Sequence, residues 1–457
     1  MKKGAFGMAL ACAVVISGVA DAEERQVTFS IKNHHLDNND SFSRDGRFLC
    51  YDSREVLGPG IENSQSIEKV EIATGRETLL YAPEASVTGE QAAPGVGAVS
   101  YCPVGDRVVF IHGPDLKEVP ARGYYAKPNR CGMEVEADGS GRGRWLDARD
   151  VARERPTVPG AHRGGTHRHE FTASGNRIGF TYDDWLLPDY GRTIGYMDPH
   201  PDAPAGAACY FAILVPVVPA GSSKPGEIEY AAGDSWVGAD GRLRAFIGTV
   251  RAEDGVQYED SLFVAEIPPD TDITTADSGD ATRYPKPPRG VTVRRLTHGP
   301  AAGIVRGSLD GSRIAYFAPD TEGRQQVFII ASDGSDQDAN PAKRPIQVTH
   351  FPEGAGSGLR WHPSGNTVFC IAGNGVAATC VRPGPEFGQT VFLTPQDTGT
   401  QRFALTISPD GTQLAFNKAV PTFDARGNRA TAYNGHDFVQ IFVLDFTDAD
   451  SDGVADS

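Results

Sequence analysis

The chain has 457 residues, 39% of them hydrophobic, which is enough for one large domain, and a formal net charge of -16. With 59 acidic against 43 basic residues, a nucleic-acid binder or an anionic-membrane binder is disfavoured, because both need a basic face. Beyond the N-terminus no stretch is apolar for the ~20 residues a membrane helix needs, so no membrane span is expected.

The N-terminus carries Lys2 and Lys3, a mostly apolar run from Ala5 to Val19, and the small-x-small site Ala20-Asp21-Ala22. That pattern predicts a secretory signal peptide over 1–22 and a periplasmic or secreted protein. Cys12 offers a lipoprotein alternative, but Leu10 stands one place off for a lipobox. Six cysteines remain: Cys50, Cys102, Cys131, Cys209, Cys370 and Cys380. They are too sparse for a disulfide scaffold, although export permits bridges. Cys370 and Cys380 flank a Gly-containing turn and are placed to face each other across a hairpin; buried free thiols fit equally well.

From residue 40 onward one unit recurs: an apolar strand, a tight polar turn ending in Gly, and a second apolar strand. The copies run DSFSRDGRFLCYD, AVSYCPVGDRVVFIHG, HEFTASGNRIGFTYDD, DSWVGADGRLRAFIG, VRGSLDGSRIAYFAPD, LRWHPSGNTVFCIAG and LTISPDGTQLAFN. Their turn glycines are Gly46, Gly105, Gly175, Gly241, Gly311, Gly365 and Gly411. Asp or Ser before Gly supplies a local hydrogen bond, and Gly supplies the positive φ of the turn. Outer strands such as VEIATGRE, QVFIIASDGSD and QIFVLDF follow, then short strands such as RRLTHGP and IQVTHFPEG. Four short strands per unit, seven times over, predict an all-β fold: a single seven-bladed β-propeller of four-stranded antiparallel blades over 23–446. Residues 26–30 are expected to pair with the 438–446 sheet and close the ring. A monomer is expected.

Three Pro- and Gly-rich segments interrupt the repeat, at 201–207, 219–225 and 268–290. All read as surface loops, the last long enough to have a disordered tip or to shape a binding rim.

The strongest chemical signal is AHRGGTHRHEF, which holds His162, His167 and His169, three of only 11 histidines. On a regular strand His167 and His169 point to one side and Arg168 and Glu170 to the other. Such a pair, with His162 from the preceding loop, can hold a divalent metal such as manganese or zinc, or serve as a general base. The alternative is histidines hydrogen-bonded between blades. Five residues before the turn glycines stand Glu170, Trp236, Arg306 and Arg360, and seven before stand Arg168 and Asp234. A mixed-charge ring around the channel is therefore expected, with Arg168, Glu170, Asp234 and Trp236 as ligand-binding candidates. Arginines there suit carboxylate or phosphate, or pair with acids of the next blade. Asp37, Asn38, Asn39 and Asp40 precede the first blade as acidic channel ligands or a capped turn. Tyr124, Tyr125 and Arg130 in GYYAKPNRC are candidates for a rim, or the tyrosines simply pack. The tail places Asp448, Asp450, Asp452 and Asp456 around Gly453, compatible with a short calcium loop over 447–457 or with a plain acidic tail.

The S-x-D-G turns with LT-type strands resemble the TolB-like propeller repeats of exported bacterial proteins. HHLDNND, HRGGTHRHEF and GYYAKPNR resemble a TolB-like family of unknown function labelled "biopolymer transporter Tol". The resemblance implies the fold more than an activity. More distantly, GGTHRHEF is similar in placement to the histidine-rich channel site of propeller polysaccharide lyases such as oligogalacturonate and ulvan lyases. There is no G-x-S-x-G elbow, no H-E-x-x-H and no P-loop. Two functions follow. The first is an exported binder that holds a glycan, peptide or partner protein at the channel. The second, implied by the lyase resemblance, is β-elimination from a uronate. Arg306, Arg360 or a metal would then neutralise the carboxylate, His167 or His169 would take the α-proton, and Tyr182 would protonate the leaving oxygen.

Overall fold

The structure is a computed structural model that describes residues 24–37, 40–54, 60–432 and 434–446. The expected leader over 1–22, Asn38 and Asn39, and the acidic tail with Asp448, Asp450, Asp452 and Asp456 lie outside the described residues.

Each repeat folds on its own turn. In the first, the Ser43 hydroxyl donates to Asp45 Oδ1 (2.7 Å), the Arg47 amide donates to the same oxygen (3.1 Å), and Gly46 takes φ +69°. The Ser408-Pro409-Asp410-Gly411 turn repeats this, with Ser408 Oγ donating to Asp410 Oδ1 at 2.6 Å. Closed locally, these turns set the register of the flanking strands, and alternate side chains then pack against the next blade. Seven antiparallel blades follow one another around a ring. Six are four-stranded sheets. In the first blade the described part of the innermost segment pairs through two bridges, His35 with Asp52 and Phe42 with Leu49, alongside the three-stranded sheet of Phe48–Asp52, Ile67–Glu71 and Glu77–Tyr81.

The ring closes in the seventh blade, where Glu24–Gln26 adds as outermost strand to Phe438–Asp445, with Arg25 opposite Val443. Closure thus starts two residues earlier than 26–30. The Arg402 and Lys418 side chains both pair with Glu24, fixing that first strand. Tryptophans pin inner strands to one another: Trp236 Nε1 donates to Glu170 O (3.1 Å) and Trp361 Nε1 to Arg306 O (2.8 Å).

One open alternative is decided and one expectation is corrected. Cys370 stands opposite Ala377 and Cys380 opposite Thr367, because the hairpin turns tightly at Gly373-Asn374; no cross-hairpin disulfide is formed, and all six described cysteines are buried thiols. The 268–290 segment is not loose. Ile273 and Tyr284 enter the core of the third and fourth blades, Tyr284 stacks on Tyr190 (4.2 Å between centroids), and Arg163 Nη1 donates to Arg283 O (2.7 Å).

Candidate functional site

The innermost strand of the third blade, Gly164–Phe171, organises the channel. It starts with two glycines because the backbone is crowded there. A Cβ on Gly165 would lie 2.1 Å from Lys127 O, and one on Gly164 would lie 1.9 Å from Asp183 O. Three residues later Arg168 takes φ +56° and the pairing with the neighbouring strand shifts register. This bulge breaks the two-residue alternation, so His167 and His169 do not act as a pair. His167 lines a cavity. His169 instead packs toward the second blade, with Nε2 3.2 Å from Thr166 Oγ1 and close against Gly132.

His162 goes a third way. Its Nε2 lies 3.8 Å from Cys131 Sγ and 3.7 Å from Asp147 Oδ1, all three side chains buried. Among the described residues, Cys131, Asp147 and His162 are the His/Cys/Asp/Glu group whose ligating atoms all lie within 4.8 Å of one another, an arrangement that can hold a metal ion. The expected set of His162, His167 and His169 does not converge in this way.

The cavity that receives His167 has a volume of about 690 Å³ and sits where the inner strands of the first three blades begin. Arg54, Arg192 and Asp37 bound it, along with Tyr125, Lys127 and Arg130 from the connection ahead of Cys131–Glu136, and Arg168. Arg54 is saturated by Asp52 and Asp37, and Arg192 by Asp183. Others are not. Both ring nitrogens of His167, Nε and Nη2 of Arg168, Nε of Arg130, the Tyr125 hydroxyl and Oδ2 of Asp37 are buried with no hydrogen-bond partner. The nearest carboxylate to the His167 ring, Asp183 Oδ2, is 3.6 Å from Nε2. Burial first, then the positive charges of Arg192 and Arg130, holds the His167 imidazole well below its usual range, so it is neutral at pH 7. Burial pushes the Tyr125 phenol up to about 12, and Arg130 stacks on its ring at 4.7 Å. The expected rim of GYYAKPNRC is thus realised by Tyr125 and Arg130, with Tyr124 exposed beside them.

The opposite end of the channel holds a cavity of about 320 Å³ to which every blade contributes: Asp40, Tyr101, Glu170, Trp236, Arg306, Arg360 and Ile407. Its charges are largely tied to one another. Arg244, fully buried, pairs with Asp234 and reaches Glu170 at 3.0 Å; Arg306 reaches Glu170 from across the channel at 3.5 Å; Arg168 Nη1 donates to Asp234 O at 2.7 Å. Arg360 Nη1 donates to Leu359 O (2.8 Å). Burial, then the charge of neighbouring guanidiniums, drives Arg306 well below its ordinary range and Arg360 down to about 10. The mixed-charge ring therefore exists as an inter-blade ion-pair network. Arg306 and Arg360 open into a different cavity from His167, and Tyr182 is fully buried, donating to Asp184 Oδ2 at 2.8 Å. The structure does not bring His167, Tyr182, Arg306 and Arg360 into one site.

Sequence reasoning passed over Lys127, Arg192, Cys131 and Asp147. Lys127 and Arg192 sit in connections with no repeat position, and Cys131 and Asp147 meet His162 only through pairing of the second and third blades.

Fold and cavity define the class: a seven-bladed β-propeller with a polar, partly uncompensated pocket at one channel mouth. The chain is 30% identical over 427 residues to the uncharacterised protein YidR of Escherichia coli (strain K12), covering 87% of this chain and 95% of that protein, and it belongs to that family. Residues 95–199, which include all three histidines and Cys131 and Asp147, match a family described as a protein of unknown function (DUF3748). Among solved structures it is similar to TolB from Acinetobacter baumannii (14% identity, TM-score 0.34, 65% of this chain and 52% of that one). It is also similar to an oligogalacturonate lyase in complex with manganese (11%, TM-score 0.41, 94% and 99%) and to the β-propeller domain of the Trilobed protease from Pyrococcus furiosus (9%, TM-score 0.46, 93% and 98%).

Proposed function

We propose that this protein is an exported propeller that binds a carboxylate-bearing glycan in the cavity around His167. The observation that carries this reading is the set of buried, unpartnered donors on Arg130 and Arg168, beside a neutral imidazole and the exposed ammonium of Lys127 at the rim. Buried donors without partners are costly, and a carboxylate repays that cost through charge-assisted bonds. The cavity's charge is mixed, with Asp37, Glu62 and Glu90 beside Lys127, Arg130 and Arg168, and the unpartnered donors mark the side a carboxylate would take. Export rests on the leader pattern over 1–22. Isothermal titration against uronate and neutral oligosaccharides tests the proposal. Uronates are expected to bind, with affinity falling as salt rises. Arg130→Ala should weaken binding by at least about tenfold, the loss of one charge-assisted bond. Binding of neutral sugars alone, or an unchanged affinity in the variant, overturns it.

One observation favours a second reading in which the bound uronate is cleaved. His167 has both ring nitrogens unpartnered and is held neutral, as a general base requires, and the protonated Tyr125 phenol opens into the same cavity. Arg130 and Lys127 would neutralise the carboxylate, His167 would take the α-proton, and Tyr125 would give its proton to the departing glycosidic oxygen, leaving an unsaturated uronate. Turnover is read from the ultraviolet absorbance of that product. His167→Ala is expected to abolish it while sparing binding; equal turnover in the variant removes the lyase reading.

A further inference from the structure

We propose that Cys131, Asp147 and His162 supply three ligands to a zinc ion whose fourth position a water would fill, a site separate from the glycan cavity that ties the second blade to the strand entering the third. Cys131 begins the third strand of the second blade (Cys131–Glu136), Asp147 follows its outer strand (Gly143–Trp145), and His162 ends the connection into Gly164–Phe171. The three are 5%, 3% and 0% exposed.

The spacing suits metal ligands, and without an ion the His162–Cys131 contact is a long hydrogen bond to sulfur. His162 Nε2 is 3.7 Å from Asp147 Oδ1, too long for a hydrogen bond, and 3.8 Å from Cys131 Sγ. Bonds of about 2.0–2.3 Å to a tetrahedral zinc put such atoms roughly 3.3–3.8 Å apart. A thiolate, an imidazole and a carboxylate together select zinc over the hard cations magnesium, calcium and manganese. The surrounding contacts orient the ligands. Gly132 N donates to Asp147 Oδ1 (3.0 Å), the Thr166 hydroxyl donates to Asp147 Oδ2, and the Arg122 guanidinium lies 3.8 Å from Cys131 Sγ, where it offsets part of the burial that pushes this thiol up. Gly164 N–H points at His162 Nδ1 from 3.3 Å, which places the ring proton on Nε2 when no metal is bound. Loading releases the thiol proton and moves the ring proton to Nδ1, giving up that long contact. The ion then anchors the base of the segment that carries Arg163, His167 and Arg168.

The experiment loads the chelator-treated full chain with zinc and, in parallel, with cobalt as a spectroscopic stand-in. One equivalent of zinc, a rise in Tm on zinc addition, and a cobalt spectrum with a sulfur charge-transfer band and intense visible absorption are expected. His167→Ala should keep all three, and Cys131→Ser and His162→Asn should lose them. No stoichiometric uptake by the folded chain overturns the site, as does uptake that survives Cys131→Ser or follows His167. Should the variants fail to fold, the cobalt spectrum of the wild-type chain decides: without a sulfur band Cys131 is no ligand. Glycan binding by a protein that takes up no zinc would leave the cavity assignment standing, so the two failures are distinguishable.

Discussion

Replacing Arg163 by Met is expected to destabilise the protein by about 3–5 kcal/mol, the cost of leaving a buried charge without its partner. Arg163 is fully buried, and its guanidinium donates through Nε (3.1 Å) and Nη2 (2.7 Å) to Asp184 Oδ2 and through Nη1 to the carbonyls of Asp280 and Arg283. Met keeps most of the volume but strands the Asp184 carboxylate, whose remaining partners are the Tyr182 hydroxyl and the Leu187 amide, both at 2.8 Å. Urea titration should show a lower midpoint at unchanged slope. The double variant Arg163→Met/Asp184→Leu should recover much of the loss, because no charge is then buried alone. Arg142→Ala, which breaks the exposed pair with Asp138, should leave the midpoint unmoved. A loss for Arg163→Met no larger than for Arg142→Ala would mean that water reaches Asp184. The substitution also frees the 268–290 segment at Asp280 and Arg283, so faster proteolytic nicking there is a second readout.

The fold was legible because each blade announces itself locally. Ser43, Asp45 and Gly46 lie within four residues and close their own turn, so the pattern survives in sequence seven times. The site was only partly legible, because its geometry depends on contacts that no local pattern encodes. The strand period placed His167 and His169 on one face; the bulge at Arg168 separated them, on a strand whose start is crowded by its own blade at Gly164 and by the second blade's connection at Gly165. Tyr182 has the right residue type, but blade packing seats it against Asp184 while Tyr125, from a connecting loop, reaches the cavity. Counting from the turn glycines picked out Glu170, Arg306 and Arg360, which line one cavity in the structure. Counting cannot reveal that Glu170 bonds to both Arg306 and Arg244, because Arg244 arrives through the register of the fourth blade. Cys131 and Asp147 gave no signal, since their relation to His162 exists only after two blades have met.

His35 should make the protein lose stability as the pH falls from about 6.5 toward 4, before most carboxylates titrate. The ring is fully buried beside Phe403, its Nδ1 donates to Leu36 O at 3.3 Å, and Nε2 has no partner. Burial, with the nearby Arg54 guanidinium adding to it, lowers its pKa from 6.5 to about 4. In the unfolded chain it ordinarily titrates near 6.5. Below that pH the unfolded state therefore binds a proton that the folded state refuses, and stability falls with falling pH until the folded group also titrates. At 1.36 kcal/mol per unit the loss approaches about 3 kcal/mol near pH 4. Carboxylates act in a lower window. Against the opposing cost of burial, hydrogen bonds from His34 and Lys32 hold Glu77 down to about 2, so its contribution is intact above about pH 4.5 and disappears as the pH falls toward 2. Denaturant unfolding measured at several pH values between 4.5 and 6.5 isolates the histidines. His35→Gln should reduce the slope of unfolding free energy against pH by nearly one proton, whatever it does to stability at pH 7. A slope identical to wild type would place a protonated, solvated ring at this position and refute the burial argument; a reduced slope would make the contact between the first and seventh blades one acid-sensitive seam, beside the buried His167 and His169 of the third blade.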